Sequence, residues 1–174
     1  MKISFWQIIV DHLSTLRNDI SGRLSPLDLI IFYALPVLVG VAAFLTPLKV
    51  SKDFYNISVT FFGVFVALLL NFQVAAFGIY NRKWTSDKDE KLALNREKDA
   101  ELKKRLLNEI NSNISYLILI SVGSILLFVF LYTSEKTGPF AAGVSWTIYI
   151  HFVLNLLMVV KRSHILFRKE YDET

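Results

Sequence analysis

The sequence predicts an all-α, polytopic membrane protein with four transmembrane helices, and three observations carry that prediction. Four apolar runs of about twenty residues follow one another. The chain is 53% hydrophobic with a mean hydropathy of +0.45, and Lys and Arg gather between the runs. The longest uninterrupted run, Ile57–Tyr80 (ISVTFFGVFVALLLNFQVAAFGIY), holds no charge in 24 residues. At about 1.5 Å per residue it can cross a hydrocarbon core of about 30 Å with some tilt. Four such spans and their connectors fill 174 residues, so a single membrane domain over 1–174 is expected.

Taken in order, residues 1–24 read as an N-terminal amphipathic helix. Trp6, Ile9, Leu13, Leu16 and Ile20 recur at 3-4-3-4 spacing, with polar residues on the other faces. Phe5 and Trp6 suit a headgroup level, where a ring sits half in water. The start is not read as a cleavable signal peptide, because Asp11 and His12 break its apolar run. Ser25, Pro26 and Asp28 form a helix start: a cap, a first-turn proline and an acid at the positive helix end. The first span follows at 27–46, with Pro36 near its middle as a bend. The second span is 57–80.

Residues 81–112 are the only sizeable polar connector. NREKDAELKKRLLNE is rich in helix formers and in opposite charges three or four apart, which predicts a helical connector running into the third span. That span is 114–132, and the fourth is 140–160, after a turn ending in Gly138-Pro139. Sixteen Lys and Arg lie in the N-terminal segment, the long connector and the C-terminal tail, against three in the other loops. The positive-inside rule then puts both termini and the connector in the cytoplasm of a multi-pass protein.

Polar residues inside the spans are the candidate functional positions. Gly63, Ala67 and Asn71 are four apart on one face of the second span, and Gly143, Thr147, His151 and Asn155 are four apart on the fourth. Small residues allow close helix contact, so Gly63, Ala67, Gly143 and Thr147 are expected helix-contact positions. Asn71, Ser121, Ser124, His151 and Asn155 are expected to form one internal polar layer, with Asn71 facing His151. His151 is the only ionisable side chain well inside a span. It reads either as structural glue, as a polar pore contact or as a proton relay. Gln73 points away from Asn71 and suggests a second contact surface, with another subunit. Trp6, Lys103, Lys104 and Arg105 are expected lipid or partner contacts.

Several chemistries are not expected. Absent cysteine removes disulfides and thiolate sites. No phosphate-binding or dinucleotide motif is present, no Gly-rich turn accompanies Ser121 or Ser124, and His12, His151 and His164 lack metal-like spacing and are expected at three depths. The chain is therefore read as non-enzymatic, with no catalytic residue, no metal and no cofactor. Nine basic against seven acidic residues in the connector argue against direct nucleic-acid binding.

The second-span block FFGVFVALLLNFQVAAFGIYNRK, the helical connector and LLNEINSNISYLILISVGSILLF entering the third span resemble small four-span membrane proteins of bacterial anti-phage defence operons, a group that includes the membrane subunit of the Kiwa system. The resemblance covers roughly residues 55–130 and transfers no functional residue. It implies an oligomeric membrane sensor or effector working with a cytoplasmic protein partner. The expectation is such a defence subunit, self-associating among membrane lipids. A small oligomeric channel or transporter and a structural anchor are the alternatives.

Overall fold

The computed structural model describes residues 4–16, 25–80 and 90–172. Five helices make up this part of the chain: α1 (Phe5–Ser14), α2 (Pro26–Leu45), α3 (Lys52–Tyr80), α4 (Glu90–Thr133) and α5 (Pro139–Asp172). Helices α2 to α5 are each long and apolar enough to cross a membrane, and there is no strand among the described residues. The protein is a multi-pass, all-α membrane protein.

Local chemistry sets the helix ends. Ser4 caps α1 by accepting from the Trp6 N–H at 3.3 Å, and α1 stops at Ser14, shorter than the amphipathic pattern suggests. Residues 17–24 of that pattern lie outside the described residues. At α2, Ser25 accepts from the Asp28 N–H at 3.4 Å and Pro26 occupies the first turn, as expected from their order. Ile30–Ala34 then widens into a π turn in which the Leu35 N–H reaches the Ile30 carbonyl. The next residue is Pro36, which has no N–H to offer the Phe32 carbonyl four residues earlier. From Glu90 onward the connector and the third span are one continuous helix of 44 residues, and positions 81–89 of the connector lie outside the described residues. Between α4 and α5 the chain turns through Glu135, whose φ of 54° is left-handed, and the Lys136 N–H closes the turn on the Leu131 carbonyl.

The spans do not form a symmetric four-helix bundle. Helices α3, α4 and α5 enclose an aromatic core in which Phe62 stacks on Phe128 and meets Phe152 edge-on, with ring centroids 5.8 and 5.1 Å apart. Tyr149 joins that core and sends its hydroxyl to Ser58 at 2.9 Å. In a bilayer, where lipid is as apolar as the side chains, such packing is what holds helices together. Helix α2 stands outside this core. Among the described residues its backbone approaches only α5, and the closest approach is between Gly40 and Gly143. A Cβ on Gly40 would lie 2.7 Å from the Gly143 carbonyl oxygen, and one on Gly143 would lie 2.8 Å from the Gly40 carbonyl oxygen. Gly143 and Thr147 are therefore helix-contact residues, with α2 as their partner. Gly63 and Ala67 are exposed on α3, and a Cβ on Gly63 would meet nothing within 4 Å.

Candidate functional site: a polar joint among four helices

The buried polar residues converge where α1 meets the spans. His12 projects from α1 and is completely buried, and Asn113 of α4 is buried opposite it. The His12 Nδ1–H donates to Asn113 Oδ1 at 2.8 Å, and Thr15 Oγ1 lies 3.0 Å from the same oxygen. The flat face of His12 stacks on the Tyr116 ring, with centroids 3.8 Å apart and planes within 2°. From the other side of α4, the Tyr116 hydroxyl donates to His151 Nε2 at 2.8 Å. His151 Nδ1 lies 2.7 Å from the Phe32 carbonyl oxygen, which can only accept. Nδ1 therefore carries a proton, and His151 donates to α2 on one edge while its other edge meets Tyr116.

This last bond explains why a histidine sits there. Pro36 leaves the Phe32 carbonyl without its usual helical donor, and a buried carbonyl in a span needs a partner. His151 reaches across from α5 and supplies it. Proline, π turn and histidine are thus one device, fixing α2 to α5 at a second level beyond the Gly40–Gly143 contact. Asn155 is also buried, but its Nδ2 donates to the His151 carbonyl of its own helix at 2.7 Å.

Arg162 completes the joint. Its Nη2 donates to the Thr15 carbonyl at 2.7 Å, and its Nη1 lies 3.6 Å from Glu109 Oε2 of α4. Thr15 is the C-terminal cap of α1, so a cation meets the negative end of that helix. His12 sits in this cationic, water-poor surrounding, and burial first, then His151 and Arg162, push its pKa down to about 4 against the opposing bond from Asn113. The joint is also under-satisfied. His12 Nε2, Asn113 Nδ2 and Asn155 Oδ1 are buried with no hydrogen-bond partner among the described residues. Each such group costs roughly 1–3 kcal/mol, so α1 is latched by a bond network that is partly offset by its own polar burden.

Several expected positions lie elsewhere. Asn71 does not face His151: it is exposed on the outer side of α3, along with Gly63 and Ala67. Ser121 and Ser124 are buried, yet each hydroxyl donates to the carbonyl four residues back, Leu117 and Ile120, and neither bonds to a histidine. Gln73 bonds within the chain, to Asn111 Oδ1 at 2.8 Å and Ser115 Oγ at 3.2 Å on α4. His12 and His151 are not at separate depths but share Tyr116, while His164 is exposed. Lys103 is buried, whereas its neighbours Lys104 and Arg105 are exposed, and Trp6 is 68% exposed. The sequence reading passed over Asn113, Tyr116, Phe32 and Arg162. A signal existed for Phe32 alone, since a mid-span proline marks the carbonyl four residues earlier.

Among the described residues, no three His, Asp or Glu side chains gather as metal ligands. The arrangement can hold or release a helix, since the bonds from His12 and Thr15 to Asn113 and from Arg162 to the Thr15 carbonyl all join the α1 segment to the spans. Replacing Tyr116 by Phe would keep the stack on His12 but leave His151 Nε2 unpartnered, and should destabilise the protein by about 1–3 kcal/mol. His151→Gln retains a donor and an acceptor and should be closer to wild type. Thermal unfolding in detergent followed by tryptophan fluorescence would separate the two variants, and equal melting temperatures would refute the assignment. Fold and joint together define a four-span membrane protein with a latched peripheral helix. No family model, curated protein or solved structure matches the chain.

Proposed function

We propose that the protein is a membrane sensor or effector subunit that acts with a cytoplasmic protein partner, in the anti-phage defence role that its resemblance implies. The observation that supports this is the His12–Tyr116–His151 connection, through which one peripheral helix is tied to α4, α5 and, by the Phe32 carbonyl, α2. A displacement between spans changes the seat of α1, and a change at α1 is felt by the spans. In this reading α1 and the connector helix lie in the cytoplasm, which the Lys and Arg distribution supports, at the inner membrane of a bacterial cell, which the resemblance implies. There α1 offers Phe5, Trp6 and Val10, all exposed, to a partner or to the bilayer surface.

The test is a phage challenge of cells carrying the gene with its genomic neighbours, for wild type and for His12→Ala. Loss of the His12 stack should release α1 and reduce protection at least tenfold, with the protein still present in the membrane fraction. Full protection by a variant whose α1 is shown to be free would overturn the proposal.

The same reading includes self-association through α3. Asn71 presents an amide on the exposed face of α3, toward the C-terminal end of the span and in line with Gly63 and Ala67, and such an amide gains a partner when two copies meet. Interhelical bonds of this kind average about 0.6 kcal/mol, so Asn71→Leu should weaken the oligomer about threefold. Native mass spectrometry across a dilution series would show it. A wild-type protein that is monomeric at every concentration would count against this contact.

A further inference from the structure

A groove of about 960 Å³ lies between the last turns of α3 and the segment of α4 that precedes its apolar run. One wall is span surface: Leu70, Val74 and Phe77, all well exposed. The other is a polar line on α4, where Glu101, Lys104, Asn108 and Asn111 are spaced 3-4-3 and share a face. Glu101, Lys104, Asn108 and Asn111 are exposed. Lys104 has no ionic partner among the described residues. Gln73 crosses the floor and holds Asn111 by its Oδ1, which leaves the Asn111 amide N–H groups directed away from that bond.

The order of these groups along α4 is what specifies an occupant. Passing toward the apolar run, the helix presents an acid, then the Lys104 cation beside Arg105, whose Nε is engaged by Glu109 at 3.2 Å, then two amide donors, and beyond them the apolar wall of α3. A phospholipid with an amine headgroup has the same order: ammonium, phosphate, ester carbonyls, hydrocarbon. Glu101 and Lys104 are separated by a rise of about 4.5 Å, a match for groups joined by two carbons and an ester oxygen. We propose that this groove binds one phosphatidylethanolamine, with the ammonium on Glu101, the phosphate on Lys104, the ester carbonyls on Asn108 and Asn111, and an acyl chain along Val74 and Phe77. An anionic lipid without an amine would satisfy Lys104 and leave Glu101 opposed. A second copy of the chain would need a cation and an acid in the reverse order.

The site requires only that the chain spans a membrane, so it stands or falls apart from the defence role. The purified full-length protein would be delipidated, exposed to equal amounts of phosphatidylethanolamine, phosphatidylglycerol and phosphatidylcholine, and read by native mass spectrometry. Phosphatidylethanolamine should be retained at least fivefold over either competitor. Lys104→Gln should lower retention of phosphatidylethanolamine and phosphatidylglycerol together, and Glu101→Gln should abolish the preference between them while phosphate-dependent binding persists. A photoreactive residue at Val74 should crosslink lipid. Equal retention of all three lipids, a preference for phosphatidylglycerol, or a Val74 crosslink to a second copy would overturn the proposal.

Discussion

Gly40→Val should detach α2 from α5. A Cβ at Gly40 lies 1.8 Å from Thr147 Oγ1 and 2.7 Å from the Gly143 carbonyl oxygen. The first clash could be relieved by a side chain, but the second is with backbone, which moves only if the helix does. Overpacking a tight contact costs about 1–3 kcal/mol, and an unyielding backbone oxygen puts this case at or above the upper end. Thr147→Ala should fail to rescue the variant, because it removes the nearer obstacle and leaves the carbonyl. Gly63→Ala is the control: with nothing within 4 Å it should be neutral or slightly stabilising in the monomer. Circular-dichroism melting and spin-label distances between α2 and α5 would read both. An unchanged α2–α5 distance in Gly40→Val would contradict the contact described.

Acidification should unlatch α1. Buried His12 holds its proton only below about pH 4, whereas an undocked, solvated imidazole takes one up near 6.5. A group whose pKa is lowered in the docked state favours docking while it is neutral. Its contribution is therefore complete above pH 6.5, shrinks as the pH falls toward 4, and changes no further below that. The full difference is about 3 kcal/mol at 1.36 kcal/mol per unit. The groups that act on the imidazole are Asn113 and Tyr116 on α4 and His151 and Arg162 on α5; the nearest acid of the joint, Glu109 on α4, faces Arg162 at 3.6 Å. Because the chain has no cysteine, single thiols can be introduced for spin labels at Ser14 and on α5. Their separation should be short at pH 7.5 and broaden at pH 5 in wild type, and stay pH-independent in His12→Gln. A wild-type distance that does not respond to pH would refute this account.

The sequence carried the spans and the close contact better than it carried the joint. Apolar runs are long-range averages, so a few residues of error at each end leave the count of four intact. Gly143 and Thr147 were readable because small residues four apart mark where two backbones meet. Spacing within a helix says which residues share a face, but not what that face meets. Asn71 and His151 were paired on polarity alone, and the rotation of α3 about its axis sends Asn71 outward. The true partners of His151 are a tyrosine that reads as an ordinary interfacial aromatic and a main-chain oxygen that no side-chain pattern displays. His12 figures in the sequence only as a break in an apolar run and as a histidine without metal-like spacing; its burial depends on a residue 101 positions further along the chain.

The separation in sequence between α2 and its seat has a consequence for biogenesis. Gly40 leaves the ribosome more than a hundred residues ahead of Gly143, and the donor for the Phe32 carbonyl, His151, follows later still. During that interval α2 must persist in the bilayer as a lone helix, which its exposed Leu27, Ile30, Val37, Leu38 and Val41 equip it to do. The aromatic core of α3, α4 and α5 can close only once α5 has inserted, and the same event brings the residues that receive α2 and α1. Among these five helices α5 therefore closes the assembly: it captures α2 through Gly143 and His151 and, with Arg162, completes the seat of α1 on α4.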